Sequence, residues 1–127
     1  MLQTDEAVFI NCLQMDFPSE PELELFLKSL DEIWTDTLYS SLSSAGLIRH
    51  VVSKVWNKDQ HRISMVFEYD SRDGYLKCQN IIEKNFVQNR NEALKKFVFK
   101  MQNNRGLILS EYRRPFDPQL VDISEET

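Results

Sequence analysis

The stretch His61–Leu76, HRISMVFEYDSRDGYL, carries the two features on which the fold turns. Ile63–Phe67 is a short apolar run with β-branched and aromatic members, the composition of a strand buried on at least one face. The run breaks at Asp70-Ser71, two side chains able to accept a backbone N–H and so to cap a helix. Tyr75, Cys78, Ile81 and Ile82 then recur at helical steps. A strand that runs into a helix with no loop to spare is the core of an α+β unit.

On the N-terminal side of this unit, Leu47–Trp56 reads as a strand, with Val51, Ser53 and Val55 on one face and His50, Val52, Lys54 and Trp56 on the other. A polar four-residue hairpin loop, Asn57–Gln60, joins it to the strand at His61–Tyr69. Earlier still, Ser19-Glu-Pro-Glu22 has the form of a capping box, with Pro21 in the first turn where its missing N–H costs little. Leu23, Phe26, Leu30, Trp34, Leu38 and Leu42 lie on one wide apolar stripe, which predicts a single helix over about 20–45, stopped by Gly46. Ala7–Met15 reads as the first strand. Val8, Ile10 and Cys12 fall on one of its faces, and Phe9, Asn11, Leu13 and Met15 on the other.

Toward the C-terminus, Gly74 is a poor helix former in the first turn of the second helix, which points to a close approach of some other group to the backbone. Helical spacing runs to about Phe86. Asn89–Glu92 looks like a fresh N-cap, so a further helix is expected over about 91–103, with Leu94, Phe97, Val98 and Met101 as its stripe. Gly106–Tyr112 is the expected last strand, closing a single domain at 1–113 ahead of an acidic tail at 114–127.

The order β-α-β-β-α-(α)-β is the ferredoxin-like pattern, a four-stranded antiparallel sheet with its helices on one face. The other face is expected to carry Phe9, Leu13, Val52 and Trp56, too apolar for water. The expected solution is a homodimer closed through the open sheet faces into an α/β barrel.

The chain has 127 residues, 42% of them hydrophobic, enough for one core that buries roughly two-thirds of the unfolded surface. Its formal charge of −5 argues against a nucleic-acid surface. No apolar run approaches the ~20 residues of a membrane span, and residues 1–30 have no secretory pattern. Cys12 and Cys78 fall in expected regular structure and read as buried free thiols in a reducing compartment, so a cytoplasmic protein is expected.

Three stretches carry a family resemblance: Phe9-Ile-Asn11 in the first strand, Ala45-Gly-Leu-Ile-Arg-His50 leading into the second, and Phe67-Glu-Tyr-Asp-Ser71 with Gly74-Tyr75 at the strand-to-helix junction. Over about 8–112 the chain resembles the dimeric α/β-barrel superfamily and, within it, the antibiotic-biosynthesis monooxygenase-like domains. That group includes cofactor-independent oxygenases acting on polycyclic phenols and haem-degrading enzymes. The haem-degrading members rely on a Trp and a His in the second helical region, and residues 71–103 contain neither. Two departures qualify the resemblance: the junction Trp is Tyr69 here, and the second helical region is extended. The resemblance implies a small aromatic ligand and no cofactor.

Asn11 and His50 are the candidate catalytic residues. An Asn on an apolar strand face either bonds structural partners or orients a ligand, since leaving its amide unpaired costs about 1–3 kcal/mol. His50 is either a proton acceptor for a phenolic substrate or a hydrogen-bonded interface histidine. Phe9, Trp56 and Tyr69 are the candidate ring-holding residues, with core or interface packing as the alternative. No His or Cys spacing typical of a metal site occurs, so no metal is expected. The enzyme reading requires Asn11 and His50 to converge on an open pocket. A filled cleft would leave a non-catalytic ligand-binding or structural dimer.

Overall fold

The computed structural model describes residues 7–56, 59–88 and 97–115. Its elements run β1 (Phe9–Asp16), α1 (Glu20–Lys28), α2 (Leu30–Ile33), α3 (Asp36–Ala45), β2 (Leu47–Lys54), β3 (Arg62–Tyr69), α4 (Arg72–Glu83), a π-helical turn (Lys84–Gln88) and β4 (Lys100–Leu107). The strands form one antiparallel sheet in the order β2-β3-β1-β4, the ferredoxin-like topology.

Strand β3 determines which face the helices cover. Ile63, Met65, Phe67 and Tyr69 are buried, while the alternate Arg62, Ser64, Val66 and Glu68 are only half-buried. Directly opposed residues of neighbouring strands share a face. The β1–β3 register pairs Phe9 with Tyr69, Asn11 with Phe67, Leu13 with Met65 and Met15 with Ile63. The β2–β3 register pairs His50 with Phe67 and Val52 with Met65. Phe9, Leu13 and Val52 therefore pack into the helix-covered core, not onto the open face where the sequence reading puts them. The reason is volume. Both faces of β1 are apolar, and the larger side chains take the side with a helical layer to fill. Trp56 follows the end of β2 and is 87% exposed.

The expected continuous helix is three pieces. Ser29 is buried and donates its hydroxyl to the Leu25 carbonyl, so it does not cap the α2 turn with its side chain. Trp34 ends α2 with φ −103° and ψ 80°, and Thr35 opens α3 by accepting the Leu38 N–H at 3.2 Å. The stripe stays in phase through both breaks, because Leu23, Phe26, Ile33, Trp34, Leu38 and Leu42 are all buried.

The second correction lies at the C-terminal end. Residues 100–103, expected to be helical, are the first half of β4, whose register with β1 runs from Asp16↔Lys100 to Phe9↔Leu107. Residues 91–96 of the expected extra helix lie outside the described residues. Phe97 and Phe99 lead into the strand and pack on Phe26, with ring centroids 5.3 and 6.4 Å away. Arg114 and Pro115 are exposed, and the remainder of the expected tail is likewise outside the described residues.

The strand-to-helix junction forms as expected. Ser71 caps α4 by accepting the Gly74 N–H at 2.9 Å. The close approach at Gly74 is to the end of α3: a Cβ on Gly74 would lie 3.2 Å from the Ala45 carbonyl oxygen and 2.5 Å from Asp70 Oδ1. Gly46 sits opposite with φ +132°, and a Cβ there would lie 2.8 Å from Gly74 Cα.

Candidate functional site

The space between the sheet and the helical layer is not completely filled. A cavity of about 380 Å3 lies over β1, β3 and β4. Its floor is Leu13, Met15 and Met65 from the sheet, extended by Phe99 and Met101. Ile82, Phe86, Gln79 and Glu83 line it from α4 and the π-helical turn, and Phe26, Ile33 and Trp34 from the first helical region. A π-helical turn departs from the i→i−4 pattern and is frequently found at functional sites; here it carries Phe86.

Trp34 joins this cavity to a polar cluster beside it. The indole ring packs edge-on to Phe86 at 5.2 Å on the cavity side. It also meets the His50 imidazole at 4.7 Å, Phe67 at 5.6 Å and Tyr39 at 6.0 Å. Trp34 is 9% exposed, and its Nε1 is buried with no hydrogen-bond partner.

His50 stacks flat on Phe67, with centroids 4.1 Å apart and planes 10° apart. Its Nδ1 shares a 2.7 Å hydrogen bond with the Tyr39 hydroxyl, while its Nε2 is buried and unpaired. Burial pushes the imidazole pKa down to about 4, so the ring is neutral at pH 7. Burial also raises the Tyr39 phenol, with the charge of Asp31 as a second cause. Asn11 lies across Phe67 from His50 in the same cross-strand row and is 5% exposed, with its Oδ1 unpaired.

Four of the five sequence-derived candidates thus share the helix-covered face. Asn11 and His50 flank Phe67. Phe9 and Tyr69 oppose each other one row along, both packed against Tyr75, with centroids 4.7 and 5.4 Å from its ring. Burial holds the Tyr69 phenol well above its usual range. Trp56 lies apart from them. None of the five lines the 380 Å3 cavity.

Sequence reasoning assigned Trp34 to the apolar stripe and to nothing more. A signal was available, since a Trp placed to be buried must still find an acceptor for its N–H, and this one stands next to a capping Thr. Among the described residues no cluster of three His, Cys, Asp or Glu is arranged to hold a metal ion. Among the same residues no helix is long and apolar enough to cross a membrane.

The sequence model for the Domain of unknown function (DUF6974) matches residues 6–108. The crystal structure of a dimeric ferredoxin-like protein from an uncultured marine organism is 69% identical, with a TM-score of 0.81 over 84% of this chain and 99% of that one. A second dimeric ferredoxin-like protein from an uncultured marine organism is 24% identical, with a TM-score of 0.74 over 84% of this chain and 100% of that one. A monooxygenase of Streptomyces coelicolor, solved with nanaomycin D, is 10% identical, with a TM-score of 0.54 over 86% of this chain and 94% of that one. At the last two identities the likeness is one of fold alone. No curated protein matches the chain. With the family model spanning most of the sequence and a close relative of the same fold, this chain belongs to the DUF6974 family of ferredoxin-like domains.

Proposed function

We propose that this protein is a homodimer that binds one small ligand per protomer in the cavity between sheet and helices. The cavity carries the reading. Its volume of about 380 Å3 is at the small end of the range typical of ligand sites, and it is far larger than ordinary packing defects in a close-packed core. The 69% identical relative is a dimeric ferredoxin-like protein, which supports the dimer. Both cysteines are free thiols, in keeping with a reducing, cytoplasmic setting.

The test uses a neutral apolar fluorophore, N-phenyl-1-naphthylamine. Saturable enhancement at one probe per protomer, lost when Leu13→Trp fills the floor of the cavity, is the expected result. Enhancement unaffected by that substitution would place the probe elsewhere and remove the reading.

A second reading, a cofactor-independent, monooxygenase-like reaction on a small aromatic substrate, draws on the unpaired Nε2 of His50 and on Asn11. The magnitudes weigh against it. A base with a pKa of about 4 that takes a proton from a phenol near 10 faces a gap worth about 8 kcal/mol before any compensation. Trp34 also stands between the cavity and the imidazole. Oxygen uptake with a polycyclic phenol, lost in His50→Gln, would restore the catalytic reading; without uptake, the non-catalytic ligand-binding dimer stands.

A further inference from the structure

Resting on the reading of the cavity as a ligand site, we infer that its ligand is an amine, with a largely apolar body held inside and a protonated head left at a mouth rimmed by Glu83. Exposure along the wall gives the cavity a direction. Phe26, Ile33, Met15 and Met65 are at most 3% exposed and form a closed inner end. Met101 is 57% exposed, Glu83 is exposed and Gln79 is half-buried, so the cavity opens to solvent between α4 and β4.

The body of the ligand follows from the inner wall. Ten of the twelve lining side chains are apolar or aromatic, and Met15, Met65 and Met101 are thioethers that adapt to an irregular or planar guest. A charge carried to the closed end would lose its hydration and find no partner in exchange. A charged head therefore belongs at the mouth.

The sign of that head follows from what the mouth presents. Glu83 and Gln79 are the two polar side chains of the wall and stand one turn apart on α4. Among the described residues no hydrogen bond or ion pair engages the Glu83 carboxylate. Gln79 donates one amide N–H to the Tyr75 hydroxyl at 3.1 Å, and its carbonyl has no partner among the same residues. The neighbouring cations serve other surfaces. Lys84 lines a separate cleft with Thr35, Thr37 and Ser41. Lys100 alternates with Met101 along β4 and so falls on the opposite face of the sheet, and Arg105 lies over the Tyr75 ring at 5.8 Å. An anionic head would meet a carboxylate with no cation beside it. An ammonium head would gain that carboxylate as a partner while keeping much of its water.

The test compares three probes that share a naphthalene body: 1-naphthylmethylamine, a cation; 1-naphthylmethanol, neutral; and 1-naphthoate, an anion. Affinities are measured by calorimetry on the full chain, with Leu13→Trp as the variant that fills the cavity. The amine is expected to bind at one per protomer, naphthoate to bind weakest, and binding to be lost in Leu13→Trp. Intrinsic differences among the probes cancel when each is compared between the unaltered protein and Glu83→Gln. That substitution is expected to weaken the amine by about twofold to fivefold, the worth of an exposed ion pair, to strengthen naphthoate and to leave the alcohol unchanged. Glu83→Lys is expected to reverse the order of amine and naphthoate.

Asp73→Asn, ten residues away at the other end of α4 and so about 15 Å distant, removes the same charge and is expected to change none of the three affinities. An equal effect of the two substitutions would mean that overall charge, not the mouth, selects the amine, and would overturn the inference. So would naphthoate binding tightest, an amine affinity indifferent to Glu83→Gln, or probe binding that survives Leu13→Trp. If the three probes fail while N-phenyl-1-naphthylamine binds, the inference falls and the cavity stands as a ligand site. Failure of all four would overturn both.

Discussion

Two glycines face each other where α3 ends and α4 begins, and they are not equivalent. At Gly46 a side chain is opposed by the backbone, since φ is +132° and the nearest main-chain atom, Gly74 Cα, would be 2.8 Å from a new Cβ. Gly46→Ala is expected to cost about 2–3 kcal/mol, from strained dihedrals plus the displaced helix. At Gly74 the 2.5 Å contact is with the Asp70 carboxylate, which can rotate away, and alanine gains about 1 kcal/mol of helix propensity. Gly74→Ala is therefore expected to cost less than half as much in urea unfolding. Equal losses would mean that the glycines serve the same backbone contact. The sequence revealed the close approach at Gly74, because a glycine in a first helical turn needs a reason. It did not reveal the partner, which comes from a distant part of the chain. Asn11 and His50 were legible in the same way, as polar groups on apolar strands. Trp34 was not, because its polarity is one atom on a ring that satisfies the apolar stripe.

His50 adds a prediction about pH. Its pKa is about 4 in the folded protein, against about 6.5 in an unfolded chain, so the unfolded state binds the proton more readily. Stability from this group is full above about pH 6.5 and is lost as pH falls toward 4, by about 2–3 kcal/mol. Asp16, held low mainly by its hydrogen bond to Arg62, and Glu20, held low mainly by Lys54, also lose stability in acid. The contribution of His50 is accordingly read as the difference between the unaltered protein and His50→Gln. The variant is expected to show the shallower decline in unfolding free energy between pH 6.5 and 4.5. Parallel curves would mean that the imidazole is solvated in the folded state.

At the scale of elements, regularity misled the reading wherever two periods fit one stretch. Between Glu20 and Ala45 the apolar stripe is continuous, yet the helix is broken twice, because short breaks can preserve phase. Ser29-Leu-Asp-Glu32 and Thr35-Asp36 were the available signals, each a capping residue followed by acid. Thr35→Ala is expected to destabilise the protein by about 1 kcal/mol, the worth of a cap. Because this cap also places Trp34, the loss should be accompanied by a changed indole N–H resonance, whereas a helix end unrelated to the site would leave that signal in place. Before β4, Leu94, Phe97, Val98 and Met101 satisfy a helical stripe, while Phe97, Phe99 and Met101 satisfy a strand. The strand prevails at least from Lys100, since β1 needs a neighbour on its free edge and Phe97 and Phe99 can reach Phe26. The β3–α4 unit was legible because its period changes at one capped point.

The whole molecule raises the question of what covers the other side of the sheet. Since Phe9, Leu13 and Val52 belong to the core, the uncovered face is made of the alternate residues. Across its centre run Val51, Val66 and Cys12, aligned by the register of β2, β3 and β1. Val8, Ile10 and Ile108 extend this strip toward one end of the sheet. The contact of a Gly106 Cβ with Ile10 Cγ2, at 3.9 Å, places that part of β4 on the same face. The strip is bounded by the Arg49–Glu68 ion pair on one side and by Ser53, Ser64 and Gln14 on the other. An apolar centre inside a polar margin is the composition of a protein interface, and two such faces meet about 10 Å apart when sheets stack. In the homodimer proposed above, a barrel closed through this face would have a different set of residues at its seam, and the cavity of each protomer would lie on the far side of its own sheet. Val66→Arg introduces a charge at the centre of the seam without touching the core, where the alternate residues of β3 lie. It is expected to convert the dimer to a folded monomer in sedimentation equilibrium, with far-UV circular dichroism unchanged and N-phenyl-1-naphthylamine still bound. A dimer that persists would move the seam to another surface; the exposed Leu107 at the end of β4 and Leu109 just beyond it would be the next to substitute. Loss of the probe together with the dimer would mean that a cavity built on one side of the sheet depends on the partner held against the other.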